Sequence, residues 1–86
     1  MSYILKYSKN AVRDLSKLDN LVKRKIKEAI ETKLIVDPIG SSVKLRNFEI
    51  DGARRFRIGN YRVIIFVSGR AVEILRIGHR REIYKS

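Results

Sequence analysis

The sequence lacks cysteine and tryptophan and has one histidine and one proline among its 86 residues. Without cysteine, neither a disulfide framework nor a thiolate metal site can form, so packing alone must hold the domain together. A lone histidine and scattered acids give no metal-ligand spacing, and we predict that the protein uses neither metal nor cofactor. No apolar run approaches the roughly 18 residues of a membrane span, and the N-terminal segment is too charged for a signal peptide. We therefore expect a soluble, cytoplasmic protein with no membrane partner.

Acidic residues are also few, because nine Asp and Glu accompany 20 Lys and Arg and leave a formal net charge of +11. The excess is largest in residues 54–86, where eight arginines and one lysine accompany only two acids. Such a charge attracts polyanions, and the arginine fork suits phosphate better than lysine does. RNA, DNA or an acidic protein are therefore candidate partners. The alternative is a solvated basic face that serves solubility, or an Arg- and Lys-rich thermophile composition.

The chain is short enough to form a single domain, residues 1–86, because a second core would have too little apolar surface to bury. Residues 3–7 are β-branched and aromatic and predict a first strand. Apolar residues then recur at steps of three and four, which predicts helices over 9–18 and 20–35 that end before Pro38. A loop precedes three further runs, which predict an antiparallel meander. These runs are 53–58, 61–67 and 71–78.

These elements predict an α+β fold in which the two N-terminal helices pack on one face of a small, mainly antiparallel four-stranded sheet. If Gly59-Asn60 is a two-residue hairpin loop, Arg57 lies opposite Arg62 and Arg55 shares their face. The opposite face is then free to receive the helices. It carries Phe56, Ile58, Val63 and Ile65.

The second turn, at Ser68-Gly69, sets the parity of the last strand. Carried through this turn, the alternation places Glu73, Leu75 and Ile77 on the same face as the arginines, and a three-residue loop in either hairpin would reverse that assignment. The middle strand is apolar on both faces, as a strand covered on both sides requires. The helices can cover only one side.

Two arginines directly opposite each other oppose folding, because like charges about 5 Å apart repel by roughly 1 kcal/mol in water. We interpret the pairing of Arg57 with Arg62 as a site for an anion bridged by both guanidinium groups, most simply the scissile phosphate of RNA. The alternatives are that both side chains extend into solvent or that Glu73 neutralises them.

The segment after the last strand carries two further candidates. His79 follows Gly78 and precedes two arginines, and histidine titrates near neutral pH, so His79 is a candidate for proton transfer. Tyr84 can stack on a base or donate a hydrogen bond to a developing charge. The alternatives are an exposed histidine without a role and a tyrosine tucked against the sheet edge.

The order of two helices and a meander, with R-x-R-I-G-x-Y-R-V at 55–63 and G-H-R-R-x-x-Y at 78–84, resembles the RelE/ParE toxin superfamily over nearly the whole chain. The resemblance to its RelE branch implies a type II toxin that enters the ribosomal A site and cleaves messenger RNA without a metal. In that family the RNA 2′-hydroxyl attacks the adjacent phosphate and leaves a 2′,3′-cyclic phosphate and a 5′-hydroxyl. A RelB-like antitoxin, acidic or helical, is implied as partner in a hetero-oligomer, with the ribosome and its messenger RNA as targets.

The resemblance also implies which residues act. Its best-known members carry lysines at the positions of Arg55 and Arg57, and because arginine stays protonated it can hold phosphate but makes a poor base. We therefore expect arginines to stabilise the phosphorane and His79 or Tyr84 to transfer the proton. The predicted catalytic residues are Arg57, Arg62, His79, Arg80 and Tyr84, and the predicted RNA-binding residues are Lys44, Arg46, Arg55 and Arg81.

Two other functions fit the same chain. A ParE-like protein shares the fold but blocks DNA gyrase by protein contact, and it needs neither His79 nor Tyr84. A non-catalytic module that binds RNA or DNA needs only the positive charge. We favour the ribonuclease because the arginines are accompanied by a group that titrates near neutral pH and by an aromatic side chain.

Overall fold

The computed structural model describes residues 3–46 and 48–79. The strand order in the sheet is β1-β5-β4-β3-β2, with β1 parallel to β5 and the other neighbours antiparallel. The predicted α+β fold is confirmed, with a two-residue strand added where the sequence predicted a loop. The elements are β1 (Ile4–Tyr7), α1 (Lys9–Ser16), α2 (Asn20–Ala29), a π-helical turn (Ile30–Leu34), β2 (Val43–Lys44), β3 (Arg54–Ile58), β4 (Tyr61–Ser68) and β5 (Ala71–His79).

Both α-helices begin at a side-chain cap. The Ser8 hydroxyl accepts a hydrogen bond from Ala11 N at 3.1 Å and donates one to Leu75 O at 2.8 Å, so the cap of α1 also fixes that helix to β5. Asp19 caps α2 by accepting from Val22 N at 2.9 Å. Within the described ranges, no helix is both long enough and apolar enough to cross a bilayer.

The second helix widens before it ends. Ile35 N donates to Ile30 O at 2.9 Å, five residues back, in the π-helical turn that follows α2. Ile26, Ile30 and Leu34 are spaced by four and are at most 1% exposed. Because an α-helix repeats every 3.6 residues, such a spacing drifts around its axis, and the wider turn keeps all three side chains on the core. The sequence predicted one uninterrupted helix here.

The main core lies between the helices and one face of the sheet. This face carries Phe56, Val63 and Ile65, and Ile58 packs against the same core, as the alternation predicted. The cluster consists of Ala11, Leu15, Ile26, Ile30, Leu34, Phe56, Val63, Ile65, Val72, Ile74 and Ile77.

A smaller cluster covers the other face of β4. Ile64 and Ala53 are fully buried there, and Leu45, Phe48 and Leu75 pack against them. Residues from the segment between β2 and β3 thus cover the face that the helices leave open. This explains why β4 is apolar on both sides.

A bulge in β5 changes which residues share a face. Ile65 pairs with Ile74 whereas Ile64 pairs with Arg76, so β5 contains one extra residue at this point. Leu75 and Glu73, before the shift, lie on the predicted face, since Leu75 packs on Ile64 and Glu73 pairs with Phe66.

Beyond the bulge the alternation is reversed. Ile77 pairs with Val63 and is buried in the main core, so the prediction that placed it with the arginines was wrong. The loop itself has the two-residue length that was assumed, although it consists of Gly69 and Arg70 rather than Ser68 and Gly69. The error therefore comes from the bulge and not from the turn.

Candidate functional site

Strands β3 and β4 place arginines on the sheet face that points away from the helices. Arg57 and Arg62 are direct Cα partners, and Arg55 pairs with Ile64 two positions further along, as the two-residue loop predicted. Gly59 begins this loop with φ +57°, in the left-handed region that favours glycine. We call the surface formed by Arg55, Arg57 and Arg62 the arginine face.

The two paired arginines differ in exposure. Arg57 is exposed, whereas Arg62 is only 6% exposed. Its Nε and Nη1 are buried and have no hydrogen-bond partner among residues 3–46 and 48–79. Burying a charged group without partners is unfavourable, so this position is suited to an anion that brings its own oxygen acceptors.

Two described neighbours of Arg62, Gly78 and Glu73, do not bind its guanidinium. The Cα partner of Arg62 on β5 is Gly78, which has no side chain that could bind the guanidinium. Glu73 lies on the same face but opposite Phe66, four positions along β4, and no ion pair joins it to Arg62 in the described part of the chain. In the described residues Glu73 therefore does not neutralise the arginine pair, which was one of the alternatives from the sequence.

Arg54 anchors the loop that leads into β2. Its Nε donates to Ser42 Oγ at 2.7 Å, and its Nη2 donates to Ser42 O at 3.0 Å and to Ile39 O at 3.1 Å. These bonds fix the loop to β3, the strand that carries Arg55 and Arg57. Sequence reasoning did not single out Arg54, which was one arginine among several in a basic run.

The other predicted RNA contacts are more widely placed. Lys44 is exposed on β2 and pairs with Arg54, which in turn pairs with the core residue Ile65. The register therefore places Lys44 on the helix side of the sheet. Arg46 is exposed in the segment after β2. Three predicted residues lie outside the described ranges: Arg80, Arg81 and Tyr84.

His79 is not on the arginine face. It pairs with Tyr61, and the two rings meet edge to face with centroids 5.7 Å apart and planes at 81°. Tyr61 packs against the main core, on the helix side. The bulge in β5 is the cause, because without it the alternation would carry His79 to the other face. The structure thus does not bring His79 together with Arg57 and Arg62.

A cleft of about 340 Å³, which we call the helix-side cleft, opens between the end of α1 and the ends of β4 and β5. His79 and Tyr61 line one wall, and Lys17 and Leu18 belong to the other. Asp14 also lines this cleft.

Asp14 joins α1 to the bulged strand. Its carboxylate accepts hydrogen bonds from Arg76 Nε at 2.9 Å and from Ile77 N at 2.8 Å. The bond to Asp14 raises the pKa of Arg76, which keeps the guanidinium charged. A sequence signal for this contact existed, because Asp14 shares the apolar helix face of Ala11 and Leu18. No group of three His, Cys, Asp or Glu side chains suited to a metal occurs within 3–46 and 48–79.

The Tyr7 hydroxyl is a further polar group that the fold buries. Its hydroxyl has no hydrogen-bond partner in the described ranges, and it lies at a groove between the helices lined also by Val12, Leu15 and Lys23. Burial raises the pKa of Tyr7, and the negative charge of Glu31 adds to the rise.

The comparisons with known proteins agree with this architecture. A family model described as the ParE toxin of the type II toxin–antitoxin system parDE matches residues 5–84. Toxin RelE3 of Methanocaldococcus jannaschii is 29% identical over 86 aligned positions that cover 91% of each chain.

Solved structures give the same result. A chain of the toxin–antitoxin complex RelBE2 from Mycobacterium tuberculosis superposes with a TM-score of 0.85 and 29% identity over 93% of this chain and 100% of that one. A chain of the archaeal RelE–RelB complex from Pyrococcus horikoshii OT3 gives a TM-score of 0.75 and 27% identity over 95% and 99% of the two chains. The present chain belongs to the ParE toxin family of type II toxin–antitoxin systems, within the RelE/ParE superfamily.

Proposed function

We propose that this toxin is a metal-independent endoribonuclease that cleaves messenger RNA in the ribosomal A site. The observation that supports the proposal is the Arg57–Arg62 pair, in which a buried guanidinium lies across the ladder from an exposed one. A phosphate between them would supply acceptors for Arg62 Nε and Nη1, which have none among the residues that the structure describes.

In the proposed reaction, the ribose 2′-oxygen attacks the adjacent phosphorus while the bond from phosphorus to the 5′-oxygen breaks. The 2′-hydroxyl gives its proton to a base, and the leaving 5′-oxygen receives a proton, so the products carry a 2′,3′-cyclic phosphate and a 5′-hydroxyl. Negative charge accumulates on the phosphorane oxygens as the new bond forms. Arg57 and Arg62 would stabilise that charge, and one such positioned donor contributes about 10²–10³-fold to the rate.

The proton must be moved by another group, because arginine does not give up its own proton at physiological pH. His79 faces the helix-side cleft, and its position on the other side of the sheet from the arginines favours Tyr84 for this role. We therefore propose Tyr84 as the proton-transfer residue and Arg80 as a third cation at the phosphate. Replacement of Tyr84 by phenylalanine should lower the cleavage rate more than replacement of His79 by alanine.

The proposed partner is a RelB-like antitoxin, in a hetero-oligomer that holds the toxin inactive. The similar chains from Mycobacterium tuberculosis and Pyrococcus horikoshii were solved in complexes with antitoxins. A net charge of +11 favours an acidic partner segment over a basic one. Expression without any antitoxin should inhibit growth, and co-expression with it should restore growth.

A second function is inhibition of DNA gyrase by direct protein contact. The matched family model favours it, since its description is that of a ParE toxin. A carboxylate from a protein partner would pair with Arg62 as a phosphate does. This function requires no proton-transfer group.

The deciding experiment incubates the purified chain with translating ribosomes and end-labelled messenger RNA and maps the new 3′ ends, with a gyrase supercoiling assay in parallel. We expect cuts inside the A-site codon that end in a cyclic phosphate, lowered about 10²–10³-fold by Arg62→Ala. Lys25→Ala, which removes an exposed lysine from α2, should leave cleavage unchanged. Intact messenger RNA together with loss of supercoiling would establish the gyrase function instead, and RNA binding without either product would indicate a non-catalytic module.

A further inference from the structure

The helix-side cleft has no part in the reaction proposed above. It lies on the other side of the sheet from the arginine face and is bounded by α1 and by the ends of β4 and β5. One wall consists of two aromatic rings, Tyr61 and His79, which hold each other in edge-to-face contact. Paired aromatic side chains offer flat surfaces and ring edges to a planar ligand, and such contacts tolerate any nucleobase.

The charge of the cleft suits an anionic ligand. Among the described residues that line it, the acidic one is Asp14, whose carboxylate binds the Arg76 guanidinium and the backbone N–H of Ile77, which offset its negative charge. The side chain of Lys17 is exposed at the cleft and adds a positive charge. A ligand with a planar ring and a phosphate therefore matches the aromatic wall and the lysine together.

Residues of the cleft are sequence neighbours of residues on the arginine side of the sheet, although the two sites lie on opposite sides. Tyr61 is the neighbour of Arg62 on β4, and His79 is the neighbour of Gly78 on β5. Because adjacent residues of a strand point to opposite faces, the sheet end near the Gly59-Asn60 turn carries arginines on one side and the aromatic pair on the other. A single-stranded RNA that bends around this end of the sheet would contact both the arginines and the aromatic pair.

We infer that the helix-side cleft binds one nucleotide of the RNA substrate, with its base against Tyr61 and His79 and its phosphate at Lys17. The inference rests on the proposed ribonuclease function and extends it, since it gives the toxin a second contact with the strand away from the scissile phosphate. His79 is then a base-binding residue. Its substitution raises the substrate concentration needed for half-maximal cleavage and leaves the maximal rate within about twofold.

The test uses a short single-stranded RNA with 2′-O-methyl riboses, which lacks the attacking hydroxyl and so cannot be cut. Because the chain has one histidine, the imidazole carbon-bound protons give a single set of NMR signals that reports on the cleft directly. We expect these signals to shift as the RNA is added. Lys17→Ala should weaken the affinity three- to tenfold and make the slope of log affinity against log salt shallower by about 0.7, as loss of one phosphate contact on a single strand does.

Lys25→Ala is the matched control, because it removes another exposed lysine that is not part of the cleft, and its affinity should stay within about twofold of the parent. If the His79 signals stay in place while Arg57→Ala still weakens binding, the inference is wrong and the ribonuclease proposal stands. If the signals move but binding ignores Arg57 and messenger RNA stays intact in the ribosome assay, the cleft binds nucleotides and the ribonuclease proposal fails. RNA that does not bind at all overturns the inference, and the ribosome assay alone then decides the ribonuclease proposal.

Discussion

Arg62 is buried at a position where the described residues, 3–46 and 48–79, offer its charge little compensation. The residue is 6% exposed, and its Nε and Nη1 are buried without a partner in the described ranges. A chain selected for stability alone would place a nonpolar side chain here, because a buried charge without acceptors costs free energy that a nonpolar group of similar size does not. The arginine therefore marks a site where binding is favoured at the expense of stability.

Arg62→Met should separate these two effects. We expect the free energy of unfolding to rise by about 1–2 kcal/mol, because the methionine fills a similar volume without a charge to desolvate. RNA cleavage should fall at the same time. Urea denaturation of both proteins measures the first effect.

Arg57→Met provides the comparison at an exposed position on the opposite strand. Its stability should change by less than about 0.5 kcal/mol, as surface substitutions usually do. A loss of stability in Arg62→Met would show instead that the guanidinium is paired in the folded protein and would remove the argument for an anion site.

Tyr7 gives a second residue-level prediction, on the alkaline side. Because burial and Glu31 raise the pKa of Tyr7, the protonated phenol is favoured in the folded state. Its contribution to stability is complete below the ordinary tyrosine pKa of about 10 and is lost as the pH rises above that value through the raised pKa. Tyr7→Phe has nothing to ionise, so it should lose less stability than the parent between about pH 9 and pH 11.

The measurement is urea denaturation at a series of pH values, with Tyr3→Phe to account for loss of any one tyrosine. At neutral pH, Tyr7→Phe should be as stable as the parent or more stable by up to about 1 kcal/mol, because the buried hydroxyl has no described partner to lose. Equal alkaline losses in parent and variant would contradict the assignment.

At the scale of elements, the bulge in β5 decides which residues form a site. Before the bulge the alternation of faces agrees with the sequence, and the two-residue loop at Gly59-Asn60 was sufficient to pair Arg57 with Arg62. After it, Ile77 lies on the side opposite to the one predicted, and His79 lies on that same helix side. Turns can be predicted because they favour particular residue types such as Gly and Asn. A bulge is one extra residue inside a continuous apolar strand, and no residue type in the sequence indicates it.

The same distinction applies to the helices and to the loop before β3. The apolar spacing along α1 was readable because it depends on neighbours in sequence. The π-helical turn depends on how Ile30 and Leu34 meet the sheet. The hold of Arg54 on Ser42 likewise depends on a contact between separate elements, and local patterns do not report such contacts.

Asp14 should make the most stabilising polar contact between α1 and β5. Asp14→Ala leaves the Ile77 N–H without its acceptor, and loss of a hydrogen bond that leaves a partly buried donor unpaired costs about 1–3 kcal/mol. Arg76→Ala removes only the ion pair, whose arginine side chain is 46% exposed, and should cost less than about 1 kcal/mol. Thermal and urea unfolding of the two variants give the comparison.

An equal loss in the two variants would mean that the ion pair, rather than the backbone hydrogen bond, is the contact that matters. Asp14→Asn adds a further check, since it keeps an oxygen that can accept from Ile77 N but has no charge for Arg76. We expect it to lie between the parent and Asp14→Ala.

At the scale of the whole molecule, the net charge of +11 makes the folded protein repel itself. Anions in general relieve this repulsion by screening, and an anion bound between Arg57 and Arg62 relieves it further at one place. The two effects can be separated by comparing anions at the same ionic strength.

Inorganic phosphate should therefore stabilise the protein more than chloride does. At a phosphate concentration about ten times its dissociation constant, the excess should be about 1.4 kcal/mol by linkage. Thermal unfolding at matched ionic strength measures it, and Arg62→Met should abolish the excess while leaving the general effect of salt. Equal stabilisation by both anions would argue that the arginine face has no specific anion site.

The parallel pairing of β1 with β5 has a consequence for how the protein is made. Ile4 lies beside Ala71 and Ser8 bonds to Leu75, contacts that span 67 residues of chain. A chain emerging from the ribosome cannot close this sheet, or seat α1 against it, until the residues of β5 have left the exit tunnel. Contacts of such long range also slow folding. A growing toxin chain therefore stays without its finished sheet until β5 has left the ribosome.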